Sequence, residues 1–519
     1  MLLRTCARFL FLLICLLLCR LTNLAAQDHT MWTNLGIYGG NVQDLAVDPE
    51  NPARIYASTY LGRGLYRSQD GGATWQALEM DNTLIGEDTF HEQAVYAVTV
   101  APSNPDIVWA AHNYWVAKSI DGGETWTHIR NSSIQRDCTD CGGSGDDWRF
   151  CKAVAILPGN PDVVYVGTGG AYGSDAGGAV YVTTDGGATW SKLNQGVNLD
   201  YGVEDLAIDP VDPDIIWAVT NSNGYGGAFD GTVYRSTNGG QDFEGIQPKP
   251  ATGGILGVAP KPDDTGTAFV TCGYGIVQLN FDGFQWQASY PVIESRLSTD
   301  AAFAPSDAHI IYASWQCPVS WGGDGLPKIS RGVFDGGAWT WETFEVDPQN
   351  ATALNCLAVH PADAGIVFGG DNSLGPFLSL DDAQTWTPIN QGLDAVIVYD
   401  VDVESSHTAH MLAASGSGLY ERMDAASPWV RRHNGVFRAA GFLPSSGSAY
   451  LGGGYGFVSR TTNNGATWSY SNSLGYVFVH DIAVDPLDTD RVYITTGHYG
   501  RQVQRSLDGG ATFSAVLDG

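Results

Sequence analysis

The chain has 519 residues, of which 26 are Lys or Arg and 56 are Asp or Glu, so its formal net charge at pH 7 is −30. This excess of acid excludes a nucleic-acid-binding protein, because there is no basic surface to neutralise phosphates. Hydrophobic residues make up 44% of the chain and charged residues only 16%, which excludes a disordered chain and supplies ample material for a buried core.

The first 26 residues have the layout of a secretory signal peptide. Arg4 and Arg8 precede an apolar run at 9–18, and small residues end at Ala26. Ten apolar residues are too few to span a bilayer, although a signal anchor is the alternative. We expect cleavage near Ala26 and export to the periplasm, the cell surface or the medium, with no membrane span in the mature chain and residues 27–519 as the folded part.

One eight-residue pattern recurs along that folded part. Three clear copies are SQDGGATW at 68–75, SIDGGETW at 119–126 and TTDGGATW at 183–190. Looser copies stand at 236–243, 379–386, 461–468 and 506–513, and eroded ones lie near 281–286, 334–341 and 423–429. Asp and Gly at these positions suit a tight turn, in which the carboxylate caps backbone N–H groups and Gly adopts positive φ.

Each octet belongs to a repeat of four predicted β-strands. In the first repeat, LAVDPENPARIYAST at 45–59 is an apolar run, a Pro-containing turn and a second apolar run, which predicts an antiparallel pair. A third strand at 64–68 leads into the octet and a fourth, at 74–78, leaves it. Comparable octet glycines recur about 45 to 64 residues apart, a spacing typical of propeller blades. The predicted fold is therefore an all-β propeller of about ten four-stranded blades.

The octet resembles the Asp-box (BNR) motif, and the resemblance covers residues 31–519. Related propellers include sialidases, family 74 xyloglucanases, sortilin/Vps10 receptors and photosystem II assembly factors similar to Ycf48. In all of them the box is a structural turn, so the resemblance implies a structural role for its aspartates and tryptophans. These are Asp70, Asp121, Asp185, Asp381 and Asp508, and Trp75, Trp126, Trp190, Trp386 and Trp468.

The arrangement of the ten blades has two candidate solutions. Because no Pro- or Ser-rich linker separates the repeats, and because the sortilin-like relatives form one ring of ten blades, we expect a single ring. A split such as seven plus three is the alternative. Residues 31–36, MWTNLG, resemble a fourth strand without a blade, which suits ring closure by the chain start, although the last repeat already has a fourth strand near 512–517.

The loops that follow strands two and four differ greatly in length between repeats, whereas the other turns are uniform. Such variation on one face of a repeat array marks the binding face. Flat aromatic rings beside amides and carboxylates suit sugar rings and hydroxyl groups, so we predict a carbohydrate cleft on this face, unless these side chains only pack the loops together. The candidate binding residues are Trp115, Trp148, Trp315, Trp321, Tyr172, Tyr60 and His498.

The opening WTNLGIYGGNVQDLAVDPENPARIYASTYLGRGLYRS resembles that of family 74 xyloglucanases, which implies glycoside hydrolysis by two carboxylates. The position of the family's first catalytic Asp is Tyr60 here. Other loop acids are therefore the candidates for acid and base, with capping of a turn as the alternative for each. They are Asp371, Asp175, Asp324 and Asp230.

Two function classes thus stay open. One is a glycoside hydrolase of xyloglucanase type acting on a neutral polysaccharide, since the acidic chain repels anionic sugars and a sialidase's arginine signature is absent. The other is a non-catalytic exported binder, sortilin-like or Ycf48-like, that uses the same face for a protein partner. We expect no cofactor and no metal. The six cysteines beyond the signal, at 138, 141, 151, 272, 317 and 356, predict disulfides rather than a zinc site, because the C-x-x-C pair has no suitable fourth ligand.

Overall fold

The computed structural model describes residues 38–518, apart from several internal segments, and the described part is built from β-strands. The segments outside it are 61–63, 81–93, 113–114, 130–149, 170–177, 194–201, 222–230, 248–253, 274, 294–296, 317–326, 347–353, 372–373, 405–409, 425–426, 444–449, 455, 464, 476, 486 and 498–501. Residues 1–37, with the predicted signal peptide and the segment 31–36, and residue 519 also lie outside it. None of the described residues form a helix long and apolar enough to cross a bilayer.

Ten four-stranded antiparallel sheets follow one another along the chain, each with its strands in chain order, and we number them blades 1 to 10. A short strand β1 (Gly39–Gly40) precedes them. Blade 1 contains β2 (Val42–Val47), β3 (Ile55–Thr59), β4 (Leu65–Ser68) and β5 (Gln76–Ala77). Blade 2 contains β6 (Val95–Val100), β7 (Val108–His112), β8 (Val116–Ser119) and β9 (Thr127–Ile129). Blade 3 contains β10 (Phe150–Ile156), β11 (Val164–Gly169), β12 (Ala179–Thr183) and β13 (Ser191–Leu193). Blade 4 contains β14 (Gly202–Ile208), β15 (Ile216–Asn221), β16 (Gly231–Ser236) and β17 (Glu244–Gly245).

Blades 5 to 10 repeat this plan. Blade 5 contains β18 (Ile255–Pro260), β19 (Thr267–Cys272), β20 (Gly275–Phe281) and β21 (Trp286–Ile293). Blade 6 contains β22 (Leu297–Ala304), β23 (Asp307–Gln316), β24 (Lys328–Asp335) and β25 (Ala338–Glu345). Blade 7 contains β26 (Leu354–Val359), β27 (Val367–Asp371), β28 (Gly375–Ser379) and β29 (Thr387–Pro388), and the short strand β30 (Asp394–Ala395) follows it. Blade 8 contains β31 (Val398–Val403), β32 (Met411–Ser415), β33 (Gly418–Arg422) and β34 (Val430–His433). Blade 9 contains β35 (Phe437–Phe442), β36 (Tyr450–Gly454), β37 (Val458–Thr461) and β38 (Ser469–Tyr470), and blade 10 contains β39 (Phe478–Val484), β40 (Val492–Gly497), β41 (Gln502–Ser506) and β42 (Ser514–Asp518).

The Asp-box is a structural turn between the third and fourth strands of a blade, as predicted. In the first box, Asp70 accepts hydrogen bonds from the backbone N–H of Thr74 at 2.8 Å and from the Thr74 hydroxyl at 2.6 Å. The Ser68 hydroxyl donates to the Asp70 carboxylate and accepts a hydrogen bond from the Gly72 N–H. Gly71 and Gly72 have φ of 72° and 93°, which a residue with a side chain rarely adopts. Asp121, Asp185, Asp381 and Asp508 make the same contacts.

The innermost strands show that the ring closes after seven blades. From blade 1 to blade 7 each innermost strand contacts that of the next blade, and β26 of blade 7 then contacts β2 of blade 1. Blades 8, 9 and 10 continue with the contacts of β31 with β35 and of β35 with β39. The expected single ring of ten blades is therefore replaced by a closed ring of seven followed by three further blades, because the hydrophobic face of blade 1 is already covered by blade 7.

The segment between blades 7 and 8 fastens this closure. Its strand β30 pairs in parallel with β1, with Gly39 opposite Asp394 and Gly40 opposite Ala395. Trp75 of blade 1 donates its backbone N–H to Gln391 O at 2.8 Å. The short strand before blade 1 and the exit from blade 7 are thus held together by backbone hydrogen bonds.

The innermost strand of blade 8 has an exposed face. Val401 in β31 is 50% exposed, whereas its counterparts Leu45, Val98 and Leu206 in the closed ring are at most 6% exposed. Val403 is 43% exposed. Counterparts in the ring are covered by the preceding blade, so this exposure is consistent with blade 8 as the first blade after the closure.

The cysteines in the described part do not follow the predicted disulfide framework. Cys151 and Cys356 are buried free thiols in the innermost strands of blades 3 and 7. Cys272 is buried at the end of β19 and donates its S–H to the carbonyl of Gly275. Cys138, Cys141 and Cys317 lie outside the described residues, so their predicted bridges stay predictions.

Candidate functional site

The two faces of the seven-bladed ring are built from different connections. On one face, which we call the turn face, lie the Pro-containing turns and the Asp-boxes, such as 48–54 and 69–75. On the other, which we call the loop face, strands two and four of each blade end, as β3 does before Tyr60 and β5 does before Leu78. Each innermost strand starts at the loop face, so its first residues lie around the mouth of the central channel.

A β-bulge occupies the start of every innermost strand in the ring. It inserts one extra residue into the register of the strand, directly after the first paired residues, and we call the place of this extra residue the bulge position. The bulge residues are partly exposed, whereas the residue before each of them is buried, so the bulge turns the second residue toward the channel. The bulge residues of blades 1 to 7 are Gln43, Tyr96, Lys152, Glu204, Leu256, Thr299 and Asn355.

The residue after the bulge, which we call the clasp position, joins neighbouring blades. In blade 1 the carboxylate of Asp44 accepts the N–H of Leu45 at 2.8 Å and the N–H of Val98, in blade 2, at 2.9 Å. Asp205 and Asp300 join blade 4 to blade 5 and blade 6 to blade 7 in the same way. The clasp positions of blades 1 to 7 are Asp44, Ala97, Ala153, Asp205, Gly257, Asp300 and Cys356. Wherever the clasp position of one blade is an aspartate, the clasp position of the next blade is therefore a small residue.

The clasp aspartates have unusual acidity. Burial raises the pKa of Asp44 to about 7, against the effect of the N–H of Val98, and the carboxylate of Asp300 raises it further. Burial likewise raises the pKa of Asp300 to about 7 and that of Asp205 above its ordinary value. All three carboxyls are already engaged by two backbone N–H groups, so their arrangement serves the contact between blades.

Amide and phenol side chains gather at the mouth where blades 1, 2 and 7 meet. The Asn41 side-chain oxygen accepts hydrogen bonds from the amides of Gln43 and, at 3.2 Å, Asn355. The Asn41 backbone oxygen accepts the N–H of Tyr60 at 3.0 Å. The Tyr60 ring lies 6.0 Å from that of Tyr96, at an interplanar angle of 61°. These five residues form a neutral, partly exposed cluster, which we call the amide–tyrosine cluster.

The charged side chains at the bulge positions neutralise each other. Lys152 of blade 3 and Glu204 of blade 4 form an ion pair at 2.5 Å, and their side chains are 20% and 15% exposed. The remaining bulge residues, Leu256 and Thr299, are uncharged. The mouth of the channel therefore presents hydrogen-bonding groups without net charge at its bulge positions.

The structure gives a packing role to three candidates from the sequence. Asp371 is fully buried at the end of β27 and accepts the N–H of Leu374 at 2.7 Å, which favours capping of a turn over acid–base chemistry. Trp315 is 1% exposed in β23 and donates its indole N–H to the Ser330 hydroxyl. Trp115 is 3% exposed and stacks on His112 with ring centroids 4.4 Å apart. These side chains are covered by protein atoms and their polar groups have partners within the protein, which supports the packing alternative for all three.

Of the remaining candidates, Tyr60 lies at the channel mouth. The others fall outside the described residues, so their roles stay predictions. They are Asp175, Asp230, Asp324, Trp148, Trp321, Tyr172 and His498.

The sequence analysis missed the other members of the mouth. Asn41, Gln43, Tyr96 and Asn355 lie at or next to the starts of innermost strands, not in the long loops. The sequence does contain a pattern that indicates them. Each bulge residue stands at the same place in its repeat, one residue before the clasp position. Residues that vary in type at a fixed place in aligned repeats indicate a shared surface.

Ten four-stranded blades with these turns define an Asp-box repeat β-propeller. The model of the BNR/Asp-box repeat matches residues 181–192, which contain the third box. The chain is also similar to glycoside hydrolases. A xyloglucanase from Paenibacillus sp. is 24% identical over 283 residues, covering 49% of this chain and 26% of that protein. A xyloglucanase from Hypocrea jecorina is 25% identical over 364 residues, covering 62% of this chain and 40% of that protein. The chain thus spans less than half the length of these curated relatives.

Solved structures agree on the fold. The crystal structure of the GH74 xyloglucanase from Xanthomonas campestris has a TM-score of 0.57 with this protein, at 17% sequence identity, and the match covers 94% of this chain and 81% of that one. At this identity the likeness shows the propeller fold alone.

Proposed function

We propose that this protein binds a neutral polysaccharide of the xyloglucan kind at the loop face of its seven-bladed ring. The observation that carries the proposal is the amide–tyrosine cluster, whose members offer hydrogen bonds and flat rings without net charge. Sugar hydroxyls pair with amides, and sugar rings stack on aromatic faces. The similarity to xyloglucanases supports this ligand class. We further propose that the protein works outside the cytoplasm, after removal of residues 1–26.

Hydrolysis would require two carboxylates on either side of the scissile bond. The described carboxylates near the mouth are committed to other contacts, because Glu204 is paired with Lys152 and the clasp aspartates hold backbone N–H groups. Asp175, Asp230 and Asp324 therefore stay our proposed acid and base. If the protein releases reducing ends from xyloglucan, substitution of each of these by Asn identifies the pair.

Calorimetric titration with xyloglucan oligosaccharides tests the proposal, with polygalacturonate as an anionic comparison. We expect binding of the neutral ligand only. Tyr60→Ala and Tyr96→Ala should each weaken the affinity, by roughly 2- to 12-fold for the loss of one aromatic contact. Phe284→Ala is the matched control, because Phe284 is 95% exposed in a turn-face connection. Failure of the wild-type protein to bind any neutral glycan would remove the proposal and favour the alternative of a protein partner.

A further inference from the structure

Asn221, at the seam between blades 4 and 5, has a buried side-chain oxygen without a partner. It is the last residue of β15, and its cross-strand neighbours are Gly202 and Gly231. The residue is only 7% exposed, and its Oδ1 atom has no hydrogen-bond partner within the described ranges. A buried oxygen without a hydrogen bond lowers the free energy of unfolding by about 1–3 kcal/mol. Its presence in a folded protein therefore requires an explanation.

The residues around the Asn221 amide leave just enough space for it. A Cβ atom at Gly254 would come within 2.5 Å of Asn221 Oδ1, and one at Gly231 would come within 2.7 Å of the Thr220 carbonyl oxygen. Only glycine at 254 leaves room for the amide in this position. The side-chain oxygen is therefore accommodated by its neighbours, although none of the neighbours that the structure describes donates a hydrogen bond to it.

The place of Asn221 in its blade connects it to the channel mouth. In blade 4, Val203 pairs with Thr220, and Asn221 is the residue after Thr220. In blade 1, Val42 pairs with Thr59, and Tyr60 is the residue after Thr59. It therefore occupies the same position as Tyr60, at the loop face. Its partner Gly202 lies two residues before Glu204 of the ion pair. The polar rim of the mouth thus extends from the amide–tyrosine cluster, past Lys152 and Glu204, to Asn221.

The chemistry of the unpartnered Asn221 oxygen determines which ligand group it can bind. A carbonyl oxygen needs a hydrogen-bond donor, which a sugar hydroxyl supplies and a carboxylate or sulfate group does not. In the opposite orientation of the amide, the orphan would be an N–H group, and a hydroxyl oxygen would satisfy it equally well. We propose that Asn221 is a specificity-determining residue that hydrogen-bonds a hydroxyl group of a neutral sugar at the seam of blades 4 and 5. This inference rests on the proposed function and extends its site by one residue.

The test combines affinity and stability in the same variants. Asn221→Leu keeps the size of the side chain but removes its hydrogen bonds, and Asn221→Ala is a second variant in case leucine does not fit. We expect each to weaken the binding of xyloglucan oligosaccharides roughly fivefold to tenfold, as for one lost hydrogen bond. Without ligand, Asn221→Leu should keep the wild-type Tm or raise it, because a buried orphan group is removed. Asn51→Leu, on the exposed turn-face segment of blade 1, is the matched control.

Two results would overturn the inference separately from the proposed function. Wild-type affinity in both Asn221 variants would show that the amide does not contact the ligand. A lower Tm with unchanged affinity would assign the amide a purely structural role. If the wild-type protein binds no neutral glycan, the proposed function fails and the inference fails with it.

Discussion

The indole nitrogen of Trp75 donates a hydrogen bond at 2.5 Å to the carbonyl oxygen of Ile389, a residue 314 positions later in the chain. Other Asp-box tryptophans bond within their own turn, as Trp190 does to Gly187 and Trp386 does to Ala383. Trp468 of blade 9 instead donates to the carbonyl oxygen of Arg432 in the preceding blade. Blade 1 thus uses its box tryptophan for closure of the ring, in addition to the pairing of β1 with β30. The same motif therefore serves two different purposes in one protein.

Trp75→Phe should weaken the closed ring. The substitution keeps an aromatic ring in the box but leaves the Ile389 carbonyl without its donor, so we expect a loss of about 1 kcal/mol in the free energy of unfolding. Urea unfolding followed by circular dichroism measures it. Trp190→Phe is the control, because Trp190 is similarly buried but bonds within its own turn. Equal losses in the two variants would contradict a special role for Trp75 in closure.

The clasp aspartates should make the protein more stable at mildly acidic pH. The pKa of Asp44 and of Asp300 is about 7 in the fold, against an ordinary value of 3.8. A raised pKa means that the folded state binds the proton more tightly, so the stabilisation is complete below about pH 4 and is lost as the pH rises through 7. Each group contributes up to about 1.4 kcal/mol per pH unit in that window. Thermal unfolding between pH 4 and 8 should show a falling Tm.

Substitution of one clasp aspartate should flatten that dependence. Asp44→Asn cannot ionise, so its Tm should fall less between pH 4 and 8 than the wild-type Tm does. Asp121→Asn is the control, because hydrogen bonds from Thr125 lower the pKa of Asp121 to about 2. This variant should keep the wild-type slope above pH 4. An unchanged slope in Asp44→Asn would mean that Asp44 is already ionised at pH 5.

Ala383→Gly should stabilise blade 7. Ala383 has a φ of 67° in a box position that is glycine in the clear copies, and the left-handed region costs about 1–2 kcal/mol for a residue with a side chain. Loss of the buried methyl group costs about 0.8 kcal/mol, so the net gain in the free energy of unfolding should be roughly 0.2–1.2 kcal/mol. Ala413→Gly, in a buried strand, should instead lower the free energy of unfolding. A loss in both variants would contradict strain at Ala383.

The thiols of Cys151 and Cys356 should resist alkylation in the native protein. Burial raises the pKa of Cys151 to about 12 and that of Cys356 well above its ordinary value, and the carboxylates of Asp44 and Asp300 add to the effect at Cys356. The thiolate, which is the reactive form, is therefore scarce. Iodoacetamide labelling followed by peptide mass spectrometry should detect both residues only after unfolding in guanidinium. Labelling of either thiol in the folded protein would contradict its burial.

Most of the blade architecture could be predicted from the sequence, because strands and turns depend on local patterns. The first repeat illustrates this, since the run at 45–59 forms β2 and β3 around a turn capped by Asp48. The closure could not be predicted, because it depends on which blade covers the face of blade 1. That choice is made by contacts between residues such as Trp75 and Ile389, which nothing in a repeat's own sequence marks.

The candidate site was harder to predict than the fold. Two aromatic residues predicted to lie in binding loops are buried, each for a different reason. The strand β23 extends far enough to include Trp315, whereas Trp115 lies between β7 and β8 and stacks on His112. Conversely, Gln43 and Asn355 belong to strands, and only the β-bulge turns them toward the channel. A bulge depends on pairing with the next strand, so periodicity alone does not reveal it.

No two neighbouring blades of the ring both carry a clasp aspartate, and this restricts how such a protein could arise by duplication. If blade 4 directly followed blade 1, Asp205 would stand beside Asp44, and two carboxyls would compete for neighbouring N–H groups in a poorly hydrated place. The seven units are therefore not interchangeable copies, although their turns are nearly identical. Their order along the chain is itself a constraint, and shuffling whole repeats should fail where it places two units with a clasp aspartate next to each other.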